Sequence, residues 1–165
     1  PVTFGKTDTA HNYIGFLMKL LIVLLFVALL IFSFNFPAYE YLLPFWYLQH
    51  QIILYSGLAL IHIALLWVVI AQFQMSKSWR IGIDEENKTE LVTVGLFSIS
   101  RNPIFLGMIL SVTGIFLIIP NVLTFFLCLF TYFVIQIQIR LEEEFLIKQH
   151  GDEYLHYKQK TRRLL

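Results

Sequence analysis

The sequence predicts an all-α integral membrane protein, with about four transmembrane helices joined to interfacial and C-terminal amphipathic helices. Three observations carry this reading. Apolar residues make up 58% of the chain and charged ones only 14%, against roughly 25% charged in soluble domains, and the mean hydropathy is +0.70. The apolar residues fall in blocks, each near the length a helix needs to cross about 30 Å of hydrocarbon. All 12 Lys and Arg, finally, lie on one side of a four-span topology.

The blocks follow in order. Residues 11–19 read as an interfacial lead-in, and Leu20 to Phe36 is the first apolar run, broken only by Ser33 and Asn35. It is too long for a secretory leader, and no small-residue cleavage site follows it. Residues 37–51, with three Tyr and one Trp punctuated by Pro37 and Pro44, form an aromatic belt along the outer interface. Ile52 to Phe73 is the second run, interrupted by Ser56, His62 and Gln72. Ile104 to Ile119 and Val122 to Ile139 are the third and fourth, a hairpin turning at Pro120-Asn121. Beyond it, residues 140–165 read as helix, a break at Gly151, an Asp152 N-cap and a second amphipathic helix. Its basic end, with Lys158, Lys160, Arg162 and Arg163, suits anionic headgroups.

Charge placement orients the chain. Four spans put the N-terminus, the 74–103 loop and the C-terminus on one side, and the loops at 37–51 and 120–121 carry no Lys or Arg. The positive-inside rule makes the basic side cytoplasmic. The net charge of +1 carries no further information about partners. The single Cys128 excludes an internal disulfide. No Gly-rich phosphate loop, nucleophile elbow or nucleic-acid signature occurs, and the histidines lack metal-ligand spacing. His62, deep in the second span, has no second His, Asp or Glu in any span to complete a metal site and reads as a hydrogen-bonded neutral side chain.

Two segments could carry chemistry. The hairpin returns Arg140-Leu-Glu142-Glu143-Glu144 to the face where Arg101-Asn102-Pro103 opens the third span. Three carboxylates at the end of a helix repel one another and oppose the helix dipole. Either they form a solvated face balanced by Arg140 and Lys148, or one or two turn inward to hold a cation. Pro103 is a helix-start signal, and Arg101 beside it can simply snorkel; the backbone amides at such a start also suit an anion. A ligand bearing both an ammonium and a carboxylate would fit the pair of segments. Gly107, Ser111 and Gly114 recur at near-helical spacing, which favours close helix packing over ligand binding.

The ordered set Leu91-Val-Thr-x-Gly95, Arg101-Asn-Pro-x-Phe-x-Gly107, Glu142-Glu143-x-x-Leu146, Gly151-x-x-Tyr154-x-x-Tyr157 resembles the isoprenylcysteine carboxyl methyltransferase family. That family belongs to a wider group with the phospholipid N-methyltransferases. Ser78-Trp-Arg-Ile-Gly-Ile-Asp84 is similar to its bacterial branch, and the likeness covers roughly residues 76–160. The resemblance implies a membrane methyltransferase using S-adenosyl-L-methionine, with an N-terminal two-helix region at 1–75 and a cofactor-binding core at 76–165. It implies cofactor contacts from Thr89, Glu90, Leu91, Val92, Phe97, Asn102, Pro103, Ile104, Phe105 and Glu142. It further implies chemistry at Arg101, Glu143 and Arg140, and acceptor contacts from Gln138, Trp79 and Arg80. The acceptor is a membrane lipid or a prenylated small molecule or peptide, methylated on a carboxylate, with no metal and no nucleic acid. The setting implied is a bacterial inner membrane, with both termini cytoplasmic.

The chain departs from the family pattern at named positions. Asn102 stands where the family has His, Phe97 and Phe105 where Tyr is common, and Gln138 where the eukaryotic carboxyl methyltransferases carry a substrate-binding Arg. Three alternatives therefore stand beside carboxylate methylation: N-methylation of a phospholipid amine, a nicotinamide-dependent reductase of sterol-reductase type, and a non-catalytic protein retaining the fold.

Overall fold

The structure, a computed structural model, describes residues 10–75 and 90–165. The helices are α1 (Ala10–Phe34), α2 (Phe36–Glu40), α3 (Gln51–Met75), α4 (Pro103–Ile118), α5 (Val122–His150) and α6 (Asp152–Lys160). Short 3-10 turns occupy Trp46–Leu48 and Gly95–Ser98, and there is no strand among the described residues. The all-α class is as the sequence predicts. Stretches of 23, 25 and 29 residues, in α1, α3 and α5, are long and apolar enough to cross a membrane. The fourth apolar helix, α4, has 16 residues, about 24 Å at the α-helical rise.

Element boundaries differ from expectation in two places. The lead-in at 11–19 is not separate: α1 runs unbroken from Ala10, because helical hydrogen bonding needs no apolar side chains and no Pro interrupts it. The start of α6 also shifts by one residue. Gly151, at φ +56°, holds the cap position, and Asp152 is the first helical residue, its charge favourable against the helix dipole.

The described part of the chain divides into two compact units, one drawn from Pro1–His62 and Ile109–Gln138, the other from Ile63–Met108 and Ile139–Leu165. In the first unit, Ala28, Tyr39 and Ile119 form a fully buried centre, against which Leu42, Ile115 and Leu123 pack. The turn at Pro120-Asn121 is built by reciprocal capping. Asn121 Oδ1 accepts from Thr124 N at 2.9 Å, and Thr124 Oγ1 accepts from Asn121 N at 3.3 Å. The 36–49 segment is tied to this turn, with Phe45 N donating to Pro120 O at 2.8 Å and Val122 N donating to Leu42 O at 3.2 Å. Helices α3 and α4 meet at Gly57 and Gly114, where a Cβ on Gly57 would stand 2.8 Å from the Gly114 carbonyl. His62 Nδ1 and the Leu58 carbonyl are 2.7 Å apart, within hydrogen-bond distance. Large apolar side chains on α1 and α3, Phe26 and Tyr55 among them, are exposed, as lipid-facing residues are.

Candidate functional site

The second unit collects the latter part of α3, the segment leading to α4, the first turns of α4, the end of α5, and α6 with the residues after it. Two polar side chains of α3 hold the approach to α4. Gln74 Oε1 accepts from Leu96 N at 2.8 Å. Its side chain lies against Gly95, whose φ of +65° is left-handed and suits only a residue without Cβ. One heptad earlier, on the same face, the Trp67 indole donates to the Pro103 carbonyl at 2.9 Å. Gly107 lets α4 come close to α3, since a Cβ there would lie 3.3 Å from the Ala64 carbonyl and in contact with Val68. Gly107 and Gly114 thus both serve close helix packing.

At the centre of the unit is the carboxylate of Glu143, 3% exposed. Arg101 reaches Oε1 with Nε at 3.2 Å and Nη2 at 2.7 Å. Arg163 reaches Oε1 with Nε at 3.2 Å and Oε2 with Nη2 at 2.8 Å. Lys158 Nζ stands 3.8 Å from Oε2. Arg101 is committed further, because its Nη1 donates to the carbonyls of Lys158 and Thr161. A carboxylate this buried is held charged only by such pairing.

Backbone bonds close the same clasp. Arg101 N donates to Arg162 O at 2.9 Å. Asn102 Nδ2 donates to Arg163 O at 2.9 Å, and the Ser100 hydroxyl approaches the same carbonyl at 3.5 Å. Ser100 Oγ in turn accepts from Asn102 N at 3.2 Å. The Tyr157 hydroxyl donates to the Phe97 carbonyl. Burial raises the pKa of both tyrosines on this face of α6. Tyr154 is pushed up to about 12 by burial and then by the neighbouring Glu143 carboxylate. Both phenols therefore stay protonated, and that of Tyr157 serves as a donor rather than a base. The hydrogen bonds that Arg163 donates to Glu143 raise the pKa of its guanidinium.

The three adjacent glutamates end in three environments. A helix turns about 100° per residue, so Glu143 points into the arginine clasp, Glu144 is exposed, and Glu142 is half-buried. No hydrogen bond or ion pair among the described residues engages the Glu142 carboxylate. At the start of α4, the first regular helical bond runs from Leu106 N to Asn102 O at 3.0 Å. The amides of Ile104 and Phe105 precede it, the position where helix N-termini accept anions.

The family model for phospholipid methyltransferases matches residues 52–153, more than half of the chain. The chain belongs to the phospholipid methyltransferase family. Comparison with curated proteins and with solved structures returns no match. Family membership and the apolar helices together make this an integral membrane methyltransferase.

Within this methyltransferase, the second unit brings together most of the residues singled out in the sequence. Phe97, Asn102 and Pro103 are buried, and Leu91, Val92, Ile104, Phe105 and Glu142 are half-buried. Glu90 and Arg140 are exposed, and Gln138 belongs to the first unit. Thr89, Trp79 and Arg80 lie outside the described residues. Arg163, read from the sequence as a headgroup contact, instead joins the Glu143 clasp. Trp67 and Gln74 were not singled out at all. The one sequence signal for them is a pair of hydrogen-bonding side chains at heptad spacing in a mostly apolar helix.

Proposed function

We propose that this chain is an S-adenosylmethionine-dependent methyltransferase acting at the bilayer interface on a lipidic or prenylated acceptor. Carboxylate O-methylation, as in the isoprenylcysteine carboxyl methyltransferases it resembles, is the leading reaction. N-methylation of a phospholipid amine is the second reading, favoured by the description of the family to which the chain belongs.

The observation that carries the proposal is the contrast between Glu143, saturated by two arginines, and Glu142, half-buried without a cationic partner among the described residues. The methionine end of the cofactor carries an ammonium and a carboxylate. Glu142 suits the ammonium, and the amides of Ile104 and Phe105 suit the carboxylate. The donor set present therefore fits the cofactor. Bound there, S-adenosylmethionine supplies a methyl carbon made electrophilic by its sulfonium.

The chain's own task is alignment and exclusion of water. In this reading Leu91, Val92, Phe97, Pro103 and Phe105 provide apolar walls with Glu90 beside them, and the resemblance assigns Thr89 to the same site. Arg101 and Glu143 act by fixing Asn102 and the first turn of α4. The resemblance assigns acceptor contacts to Gln138, Trp79 and Arg80 and a part in the chemistry to Arg140. A carboxylate acceptor needs no base, whereas an amine must first lose its proton. The segregation of Lys and Arg supports a cytoplasmic position for this end of the protein.

Calorimetric titration in detergent tests the cofactor. Glu142→Gln and Asn102→Ala are expected to weaken binding by about tenfold or more, while Glu144→Gln leaves it unchanged. Failure of the parent chain to bind either S-adenosylmethionine or its demethylated product sinks the proposal. Incorporation of tritiated methyl into a prenylated peptide supports the leading reaction, and incorporation into total phospholipid supports the second.

A further inference from the structure

One guanidinium is enough to neutralise Glu143, and Arg101, with 7% of its side chain exposed, already does so. A second arginine on the same carboxylate needs another reason. Arg163 lies beyond the stretch matched by the family model and is more open, its side chain 35% exposed. Its bonds go to Glu143 on α5 and to the residues that lead into α4. Its guanidinium grips both oxygens of Glu143, the carboxylate that holds Arg101. Its carbonyl receives Asn102 Nδ2 at 2.9 Å and faces the fully buried Ser100 hydroxyl. The residue before it receives the amide of Arg101. The side chain and backbone of one residue thus bracket Ser100, Arg101 and Asn102 from two directions.

We propose that Arg163 is a positioning residue for the methyl-donor site, setting Asn102 and the first turn of α4 through its own carbonyl and through Glu143. The inference rests on the S-adenosylmethionine reading given above. A planar fork that bonds both carboxylate oxygens fixes direction as well as distance. Lysine in its place retains the charge but not the two-point grip.

The test uses the full chain in detergent micelles, with Arg163→Ala, Arg163→Lys and, as control, Lys160→Ala on the exposed end of α6. Hydrogen–deuterium exchange and S-adenosylmethionine affinity are measured on each. Arg163→Ala is expected to speed exchange of the Arg101 and Leu106 amides by about tenfold or more and to weaken the cofactor to a similar degree. Exchange across residues 122–138 is expected to stay unchanged. Arg163→Lys should fall between Ala and the parent in both readouts, and Lys160→Ala should match the parent. Unchanged exchange at Arg101 and Leu106 overturns the proposal. Faster exchange with unaltered cofactor affinity also overturns it, since Arg163 would then hold only the chain around it. If Arg163→Ala fails to fold, Arg163→Lys carries the test under the same criteria. A parent chain that binds no cofactor overturns the reading of the site itself, and the parent measurement tells that failure apart from a failure of Arg163.

Discussion

Removing the Glu143 carboxylate is the most direct test of what holds the second unit together. In Glu143→Ala, Arg101 keeps its two Nη1 bonds to the carbonyls of Lys158 and Thr161, but its Nε and Nη2 donors lose their acceptor. Arg163 is open enough to recover water. Breaking a buried ion pair by deleting one partner costs about 3–5 kcal/mol. With only half of one buried guanidinium orphaned, the cost belongs near the lower end, about 3 kcal/mol. For a chain of this length that corresponds to a fall in Tm of about 6–12 °C. Arg163→Ala leaves Glu143 still paired with Arg101 and should cost much less, about 1 kcal/mol. Glu144→Ala, at an exposed position, should lie within about 0.5 kcal/mol of the parent. Thermal unfolding in one detergent, followed by circular dichroism, ranks the three. A Glu143→Ala shift no larger than that of Arg163→Ala would refute the account of Glu143 as the centre of the clasp.

Two further outcomes follow from the same structure. The Tyr154 phenol, buried and pushed from its ordinary 10.0 up to about 12, binds its proton more tightly folded than unfolded. Its contribution is therefore intact below pH 10 and is lost as pH climbs toward 12, with Tyr157 adding in the same direction. Phenolate absorbance recorded with thermal unfolding across that range checks this, and titration of both tyrosines at their ordinary value contradicts it. Gly57→Ala offers a test by sign. Alanine gains about 1 kcal/mol of helix propensity over glycine, yet its Cβ would press on the Gly114 carbonyl and the Leu117 side chain. A net loss of about 1–3 kcal/mol is expected from overpacking, and a stabilised variant would show that α3 and α4 do not meet there.

Much of the fold was legible because hydropathy adds along the chain. Four apolar blocks, the Pro120-Asn121 turn and the break at Gly151 all appear as helices or helix boundaries where composition placed them. The boundaries that moved, at Ala10 and Asp152, are set by backbone hydrogen bonding, which composition records only weakly. The site was legible as a pair of segments, since residues near 101 and near 143 do meet. Its internal division of labour was not. The basic residues in and after the last turn of α6 suit headgroup contacts, as single-sign clusters near a membrane ordinarily do, yet Arg163 and Lys158 turn toward Glu143.

The sequence by itself determined that this is an all-α membrane protein of the phospholipid methyltransferase family, with its polar residues gathered beside one hairpin. Those are properties of local composition and of an ordered motif, and both survive without coordinates. Only the tertiary structure decided which glutamate is which. Glu142, Glu143 and Glu144 are chemically identical in the chain. Glu143 becomes structural because Arg101 and Arg163, 42 and 20 residues away, converge on its oxygens. Glu142, one residue earlier and about 100° around the helix, is left half-buried without such a partner among the described residues. Long-range pairing of charges in a low-dielectric interior, rather than residue identity, separates the carboxylate that holds the fold from the one proposed to hold a ligand.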